Sequence, residues 1–289
     1  QKNANTKFDF NSQGIEMLVD GDWVKANGTT LGADNGIGVA SIMTVLASST
    51  IEHPAIEALF TIDEETGMTG ALNLKAGVLK GKILLNLDTE DDKELTIGCA
   101  GGIDVTATGS FTHEAAPPNS VFYGIYVKGL TGGHSGMDIY KGRGNSNKIM
   151  NRVLLSAFEK FGFQIATIDG GSLRNAIPRE SVAEIALEES KINDFEIFIR
   201  KISDELEFEY KTTDPNFSVT AKPLEIKKRV LQKGFQLKLM KSLYACANGI
   251  YRMSPDIEHL VQTSNNLARV VVNEGEYSIQ CLTRSSVDR

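Results

Sequence analysis

The chain has 289 residues, a length that suits one large domain or two ordinary ones. Hydrophobic residues make up 41% and charged residues 23%, a mixture that excludes a chain that is disordered, collagenous or coiled coil throughout. The net charge of −7 argues against a nucleic-acid partner, and the lack of any run of 18 apolar residues argues against a membrane span.

The first third of the chain alternates apolar segments with segments of helical spacing. Residues 57–63 and 82–88 are predicted strands, while residues 36–47 and 70–74 are predicted helices. Strands that alternate with helices in this way predict an α/β domain with a mostly parallel sheet, which we place at residues 1–101.

The pattern changes after Gly101 and Gly102, which form a predicted turn or hinge. Amphipathic helices are predicted at 145–160 and 192–209, and strands at 121–130, 163–168, 181–187, 268–272 and 277–282. This mixture predicts an α+β domain with antiparallel sheets over residues 102–289.

The acidity of the chain is concentrated in the first third. Residues 1–101 contain 15 Asp and Glu against 7 Lys and Arg, or −8, and the remainder contains 22 against 23, or +1. Asp34 precedes a predicted helix, and Glu65 and Asp88 follow predicted strands. Because ligands bind at the carboxyl ends of parallel strands, these three carboxylates are predicted to share a metal ion that offsets their repulsion.

The neighbouring carboxylate of Glu64 need not point the same way as that of Glu65, so it could act as a general base toward water. Each segment alone has a plainer interpretation, as a helix cap, a first-turn acid or a turn residue. The three segments together favour a metal site.

Several motifs make the chain resemble a known family from end to end. They are residues 29–38, 64–67, 86–88 and 98–102, the segment 129–136 with Gly-Gly-His-Ser-Gly, and the segment 173–180 with Arg-Asn-Ala-Ile-Pro-Arg. The sequence is similar to the aminoacyl-histidine dipeptidases, also called Xaa-His dipeptidases or bacterial carnosinases. These are co-catalytic zinc peptidases with a catalytic domain and an inserted lid.

The resemblance implies a role for each matching residue. Asp34 would bridge two divalent metal ions, zinc or else manganese or cobalt, while Glu65 would bind one ion and Asp88 the other. Glu64 would be the general base. His134 in the lid would stabilise the oxyanion and could reach across a homodimer into the partner's site.

Two further residues match substrate-binding positions of the family. Asn175 and Arg284 would hold the backbone or carboxylate of a small dipeptide, although an arginine at a strand end is more often a surface residue. The resemblance therefore implies a partial catalytic domain at 1–101 and a lid that forms the dimer at 102–289. The three scattered cysteines indicate reduced thiols in a cytoplasmic protein.

The sequence departs from the family in its histidines. Only His53, His113, His134 and His259 occur, and none lies in the family's metal-binding His-x-Asp motif. We therefore expect the chain to be a fragment that binds zinc poorly, can lack the metals altogether and is inactive alone.

Two other functions stay open. The same fold could serve an N-acyl-amino-acid amidase or a broad dipeptidase, because specificity depends on the shape of the pocket. The chain could also be a non-catalytic dimerisation module.

Overall fold

The computed structural model describes residues 6–89, 93, 95, 101–225 and 229–288, without the side chains of residues 65 and 66. The chain divides into two compact units, residues 1–97 and residues 98–289. Each unit is described by itself.

The first unit contains one hairpin and three helices in its described part. The strands and helices are β1 (Met17–Asp20), β2 (Trp23–Ala26), α1 (Ala33–Ala47), α2 (Glu64–Gly67) and α3 (Thr69–Leu72). Strands β1 and β2 pair antiparallel from Met17 opposite Ala26 to Asp20 opposite Trp23. The two predicted helices are confirmed as α1 and α3, but α1 is exposed and buries only Gly38.

The parallel sheet predicted for this unit is wrong for the described residues. No strand forms at 57–63 or 82–88, and every strand pair in the described part of the chain is antiparallel. Ile83, Leu84 and Leu85 are 82%, 78% and 78% exposed. A strand of a parallel sheet is stable only when neighbours cover both faces, and the described residues leave most of these side chains exposed.

The second unit contains the remaining strands and three long helices. The strands are β3 (Gly101–Ser110), β4 (His113–Glu114), β5 (Ser120–Lys128), β6 (Gly133–His134), β7 (Gln164–Gly170), β8 (Ala176–Ile177), β9 (Ser181–Glu188), β10 (Ser218–Leu224), β11 (Val230–Leu231), β12 (Gly249–Met253), β13 (Val261–Asn273) and β14 (Glu276–Ser285). The helices are α4 (Ser146–Phe161), α5 (Ile192–Tyr210) and α6 (Lys233–Ala245), with short 3₁₀ turns at Ile139–Lys141 and Glu189–Lys191.

An antiparallel sheet of eight strands organises this unit. Its order is β10-β5-β9-β7-β13-β14-β3, and β12 pairs with the first part of β13. Strands β13 and β14 form a hairpin whose two turn residues, Glu274 and Gly275, both have positive φ, as a type I′ turn requires. The predicted α+β architecture with antiparallel strands is confirmed for this part of the chain.

The core of the second unit lies between the sheet and its helices. Helix α4 buries Ile149, Val153 and Ala157, which recur every four residues and therefore share one face. Helix α5 buries Phe195, Ile199, Ile202 and Leu206 with the same kind of spacing. The opposite face of the sheet carries a smaller cluster, which consists of Phe122, Ala166, Ala186 and Val230. Among the described residues, no helix combines the length and hydropathy needed to cross a bilayer.

Two isoleucines of α5 test this assignment of the core. Ile199 is 3% exposed and Ile197 is 57% exposed. We expect Ile199→Ala to lower the free energy of unfolding by about 2–5 kcal/mol because it leaves a cavity. The matched Ile197→Ala should change it by no more than about 0.5 kcal/mol. Urea unfolding of the full chain followed by circular dichroism measures both, and equal losses would contradict the packing described.

Candidate functional site

The predicted metal-binding carboxylates lie at irregular points of the first unit. Asp34 is in the first turn of α1, where its φ of −93° and ψ of 103° depart from helical values, and its side chain is exposed. Its neighbour Asn35 accepts a hydrogen bond from the backbone N–H of Gly38 at 2.8 Å. Asp34 therefore stands where the chain turns into the helix, with a carboxylate directed away from any packed core.

The other carboxylates occupy a helix start and an extended segment. Glu64 is the first residue of α2 and is exposed. Asp88 is also exposed, and its backbone N–H donates to the side-chain oxygen of Asn86 at 3.0 Å. The side chain of Glu65 lies outside the described residues.

Carboxylate oxygens suit zinc, manganese or cobalt, so the donor types of Asp34, Glu65 and Asp88 fit a divalent ion. Within the described part of the chain, however, no group of three or more His, Cys, Asp or Glu side chains is placed to hold a metal. Because the Glu65 side chain is not described, the convergence of the three carboxylates stays a prediction.

The second unit positions His134 on a short strand held by a tight turn. Strand β6 pairs with β8, so that His134 lies opposite Ala176, and the N–H of Ser135 donates to the carbonyl of Asn175 at 2.7 Å. The Asp138 side chain accepts from the N–H of His134 at 2.8 Å, while the N–H of Asp138 donates to the carbonyl of His134 at 2.9 Å. This reciprocal pair fixes the backbone on which the imidazole stands.

Asp138 is held in its charged form. The hydrogen bond from Lys141 is the largest cause that lowers the pKa of Asp138; the N–H of His134 and the charge of Arg143 act in the same direction, against burial. The turn beneath His134 therefore keeps its carboxylate acceptor over the neutral pH range.

The hydrogen bonds of the His134 ring define its tautomer. Nδ1 accepts from the backbone N–H groups of Gly136 and Met137 at 3.3 and 3.1 Å. A neutral imidazole has one donor and one acceptor nitrogen, so we assign the proton to Nε2. The Nη2 atom of Arg284 lies 3.5 Å from this Nε2. The Nε2–H group of His134 and the Nη2 group of Arg284 are therefore two neighbouring hydrogen-bond donors.

The guanidinium of Arg284 projects from β14 and is partly buried. Its Nε atom is buried without a hydrogen-bond partner in the described residues. Burial is the main cause that lowers the pKa of Arg284; Arg174 acts in the same direction, and Asp104 opposes both. Gly136 permits this approach, because a Cβ at that position would lie 3.1 Å from Arg284 Nε.

Asn175 is exposed beside this donor pair, and the buried Asn266 supports its backbone. The Asn266 side chain donates to the carbonyl of Ala176 at 2.8 Å and to that of Arg174 at 3.4 Å, on either side of Asn175. Arg174 also forms an ion pair with Asp104 of β3. The structure thus brings Arg284 close to the His134 ring, and it places the backbone of Asn175 against the turn that follows His134.

This arrangement can bind an anionic or carbonyl oxygen. A carboxylate accepts from two adjacent donors, and charge-assisted hydrogen bonds of this kind are the strong ones. Sequence reasoning missed Asp138 and Asn266, which hold the backbone of His134 and of the segment around Asn175. The available signal for Asn266 was a polar residue inside the strand, because a buried amide needs partners.

Known proteins are similar to parts or to the whole of this chain. Residues 125–214 match the M20 peptidase dimerisation domain. A cytosol non-specific dipeptidase of Escherichia coli (strain K12) is 38% identical over 288 residues, covering 100% of this chain and 59% of that protein. An uncharacterized protein of Bacillus subtilis (strain 168) is 36% identical over 81 residues, or 27% of this chain and 22% of that protein.

A solved structure is also similar along the whole chain. The crystal structure of an aminoacylhistidine dipeptidase from Vibrio alginolyticus has 42% identity and a TM-score of 0.71, and the match covers 100% of this chain and 59% of that one. The chain thus spans about three-fifths of the length of both dipeptidases, and this coverage does not confirm that it is a fragment. The chain is therefore similar along its whole length to two proteins named as dipeptidases, and its residues 125–214 match the M20 peptidase dimerisation domain.

Proposed function

We propose that the protein is a metal-dependent dipeptidase that hydrolyses the amide bond of Xaa-His dipeptides such as carnosine. One observation carries the proposal: His134 Nε2 and Arg284 Nη2 lie 3.5 Å apart in a chain similar throughout to two dipeptidases. A dipeptide presents a free carboxylate and the carbonyl oxygen of its amide bond, which are acceptors that suit Arg284 and His134 respectively.

The residues of the chain divide the work of binding and proton transfer. Arg284 and Asn175 would hold the substrate's carboxylate or backbone, and the Nε2–H of His134 would stabilise the negative charge that develops on the carbonyl oxygen. Glu64 would take the proton of the attacking water. Asp34, Glu65 and Asp88 would hold two divalent ions, zinc or else manganese or cobalt, which when bound would act as a Lewis acid and lower the pKa of water.

The match to a dimerisation domain supports a homodimer formed through the lid domain, which we predict at residues 102–289. The name of the Escherichia coli relative supports a cytoplasmic location. A small dipeptide is the proposed partner, with neither nucleic acid nor membrane involved.

Two alternatives follow from specific observations. The Escherichia coli relative is named non-specific, which favours a broad dipeptidase on the same fold. The match to a dimerisation domain over residues 125–214 also permits a module that dimerises without catalysis. Initial rates on β-alanyl-histidine, glycyl-glycine and acetyl-amino acids separate the first alternative and the amidase from the proposal. Light scattering combined with the same assays tests the non-catalytic dimerisation module. A dimer that hydrolyses none of these substrates at any metal loading would support that alternative.

The base is tested by Glu64→Gln in the zinc-loaded chain. We expect kcat for β-alanyl-histidine to fall by about 10²–10⁴-fold, because the amide has the shape of the acid but cannot accept the proton. The control is Glu52→Gln, an exposed glutamate of the same unit that the proposal leaves unused. A Glu64→Gln variant within a few-fold of the wild type would rule out this residue as the base.

The carboxylate contact is tested by Arg284→Ala and by changing the substrate. We expect KM for β-alanyl-histidine to rise by about 10–150-fold, which corresponds to the loss of a hydrogen bond to a charged group of about 1.5–3 kcal/mol. On β-alanyl-histidinamide, which lacks the carboxylate, the wild type and the variant should have similar KM values. Arg152→Ala, which removes an exposed ion pair with Glu209, is the control. An equal loss on both substrates would show that Arg284 has only a structural role.

A further inference from the structure

Two cysteines that the proposed hydrolysis does not use lie in contact. Cys246 caps the C-terminal end of α6, and Cys281 is in β14, 35 residues later. Their Sγ atoms are 3.5 Å apart, within hydrogen-bond distance for sulfur. Both are partly buried free thiols, and Cys99 lies outside the described residues.

The surroundings of the pair favour a thiolate. The ammonium group of Lys148 is fixed nearby by donating to the carbonyls of Leu243, Tyr244 and Cys246 at 2.8–2.9 Å. The contact with Cys246 is the largest cause that lowers the pKa of Cys281 to about 7, against burial and with help from Asn265 and Lys148. The same contact raises the pKa of Cys246. One thiol therefore carries the charge and its neighbour keeps the proton.

Cys281 is also accessible. It lies in the wall of an open, mainly apolar cleft in the second unit. The other lining residues include Val105, Ala247, Tyr251, Asn265 and Thr283. An inert structural cysteine is enclosed in apolar surroundings, whereas a redox-active one combines thiolate character, exposure and a second thiol within reach.

We propose that Cys246 and Cys281 form a redox modification site that reacts with low-molecular-weight disulfides and closes to a reversible disulfide bond. In the first step the thiolate of Cys281 attacks one sulfur of the reagent, and the other half leaves as a thiolate. In the second step Cys246 loses its proton to that thiolate and attacks Cys281 Sγ, which displaces the second half of the reagent. The protein loses two hydrogens and two electrons, and the reagent becomes two thiols.

The geometry requires only a small local change. The sulfurs must approach from 3.5 Å to about 2.05 Å. Cys246 already has the non-helical φ of −59° and ψ of 121°, where α6 ends, so its side chain can turn without breaking the helix. The bond would tie the end of α6 to β14, three residues before Arg284.

The experiment treats the reduced full chain with oxidised glutathione and follows intact mass and peptide maps. The wild type should lose about 2 Da, with Cys246 linked to Cys281 and no retained adduct. Cys246→Ser should keep one glutathione on Cys281, because the resolving thiol is missing. Cys281→Ser should react at least about tenfold more slowly at Cys246, because Cys281 and not Cys246 lines the cleft that admits the reagent. Cys99→Ser is the control and should behave as the wild type.

Two results would overturn the proposal. One is a wild-type chain in which Cys246 and Cys281 stay reduced while Cys99 reacts. The other is a cross-link that persists in the Cys246→Ser or the Cys281→Ser variant. Peptide mapping of the wild type decides the matter even where a variant fails to fold, because the linked peptides are then either present or absent.

Discussion

The side-chain amide of Asn145 joins three parts of the second unit that are distant in sequence. Its oxygen accepts from the N–H groups of Asn147 and Lys148 and so caps α4, while its nitrogen donates to Asn248, Asn266 and the carbonyl of Leu267. The residue is buried, so each lost hydrogen bond would leave a polar group without water, at a cost of about 1–3 kcal/mol. The start of α4 therefore has only one stable position against β13.

The hydrogen bonds of the Asn145 amide also help to fix the positions of the residues of the candidate site. Asn266, which accepts from Asn145, holds the carbonyls on both sides of Asn175. That segment pairs with β6, and β6 presents the His134 ring toward Arg284 on the strand next to β13. A donor pair on exposed loops would lose its geometry to side-chain motion, whereas here both donors stand on strands tied to one buried network.

The sequence predicted helices α4 and α5 of the second unit because their signals are local, whereas α6, β3, β10 and β12 were not predicted. Helices α4 and α5 have apolar residues on one face, and Asn145 and Gly162 cap α4 at either end, so the pattern alone indicates the element. The segments 57–63 and 82–88 are equally apolar, but a strand forms only if another strand pairs with it. The sequence of one segment does not say whether such a partner exists. The contact of Cys246 with Cys281 was missed for the same reason, since it depends on where α6 ends against the β13–β14 hairpin.

The support for the predicted site residues differs between the two units. His134 and Asn175 lie in family-specific motifs whose strands pair, whereas Arg284 lies outside those motifs and its guanidinium stands 3.5 Å from the His134 ring. The carboxylates at 34, 65 and 88 rested on the expectation that strand ends meet at one sheet edge. The described part of the first unit forms no such sheet, so the argument for their convergence now depends on the resemblance and on the chemistry of their oxygens.

The donor pair by itself would not distinguish one dipeptide side chain from another. A carboxylate end is common to every dipeptide, so the proposed contact of Arg284 with it would select for a free carboxyl group and not for the side chain beside it. Discrimination by side chain needs groups that would be left unpaired by the wrong substrate, and such groups reject it far more strongly than an apolar pocket does. A preference for histidine must therefore come from residues that contact the imidazole. The names of the two similar proteins differ in the same respect, one being called non-specific and the other being named for aminoacylhistidine.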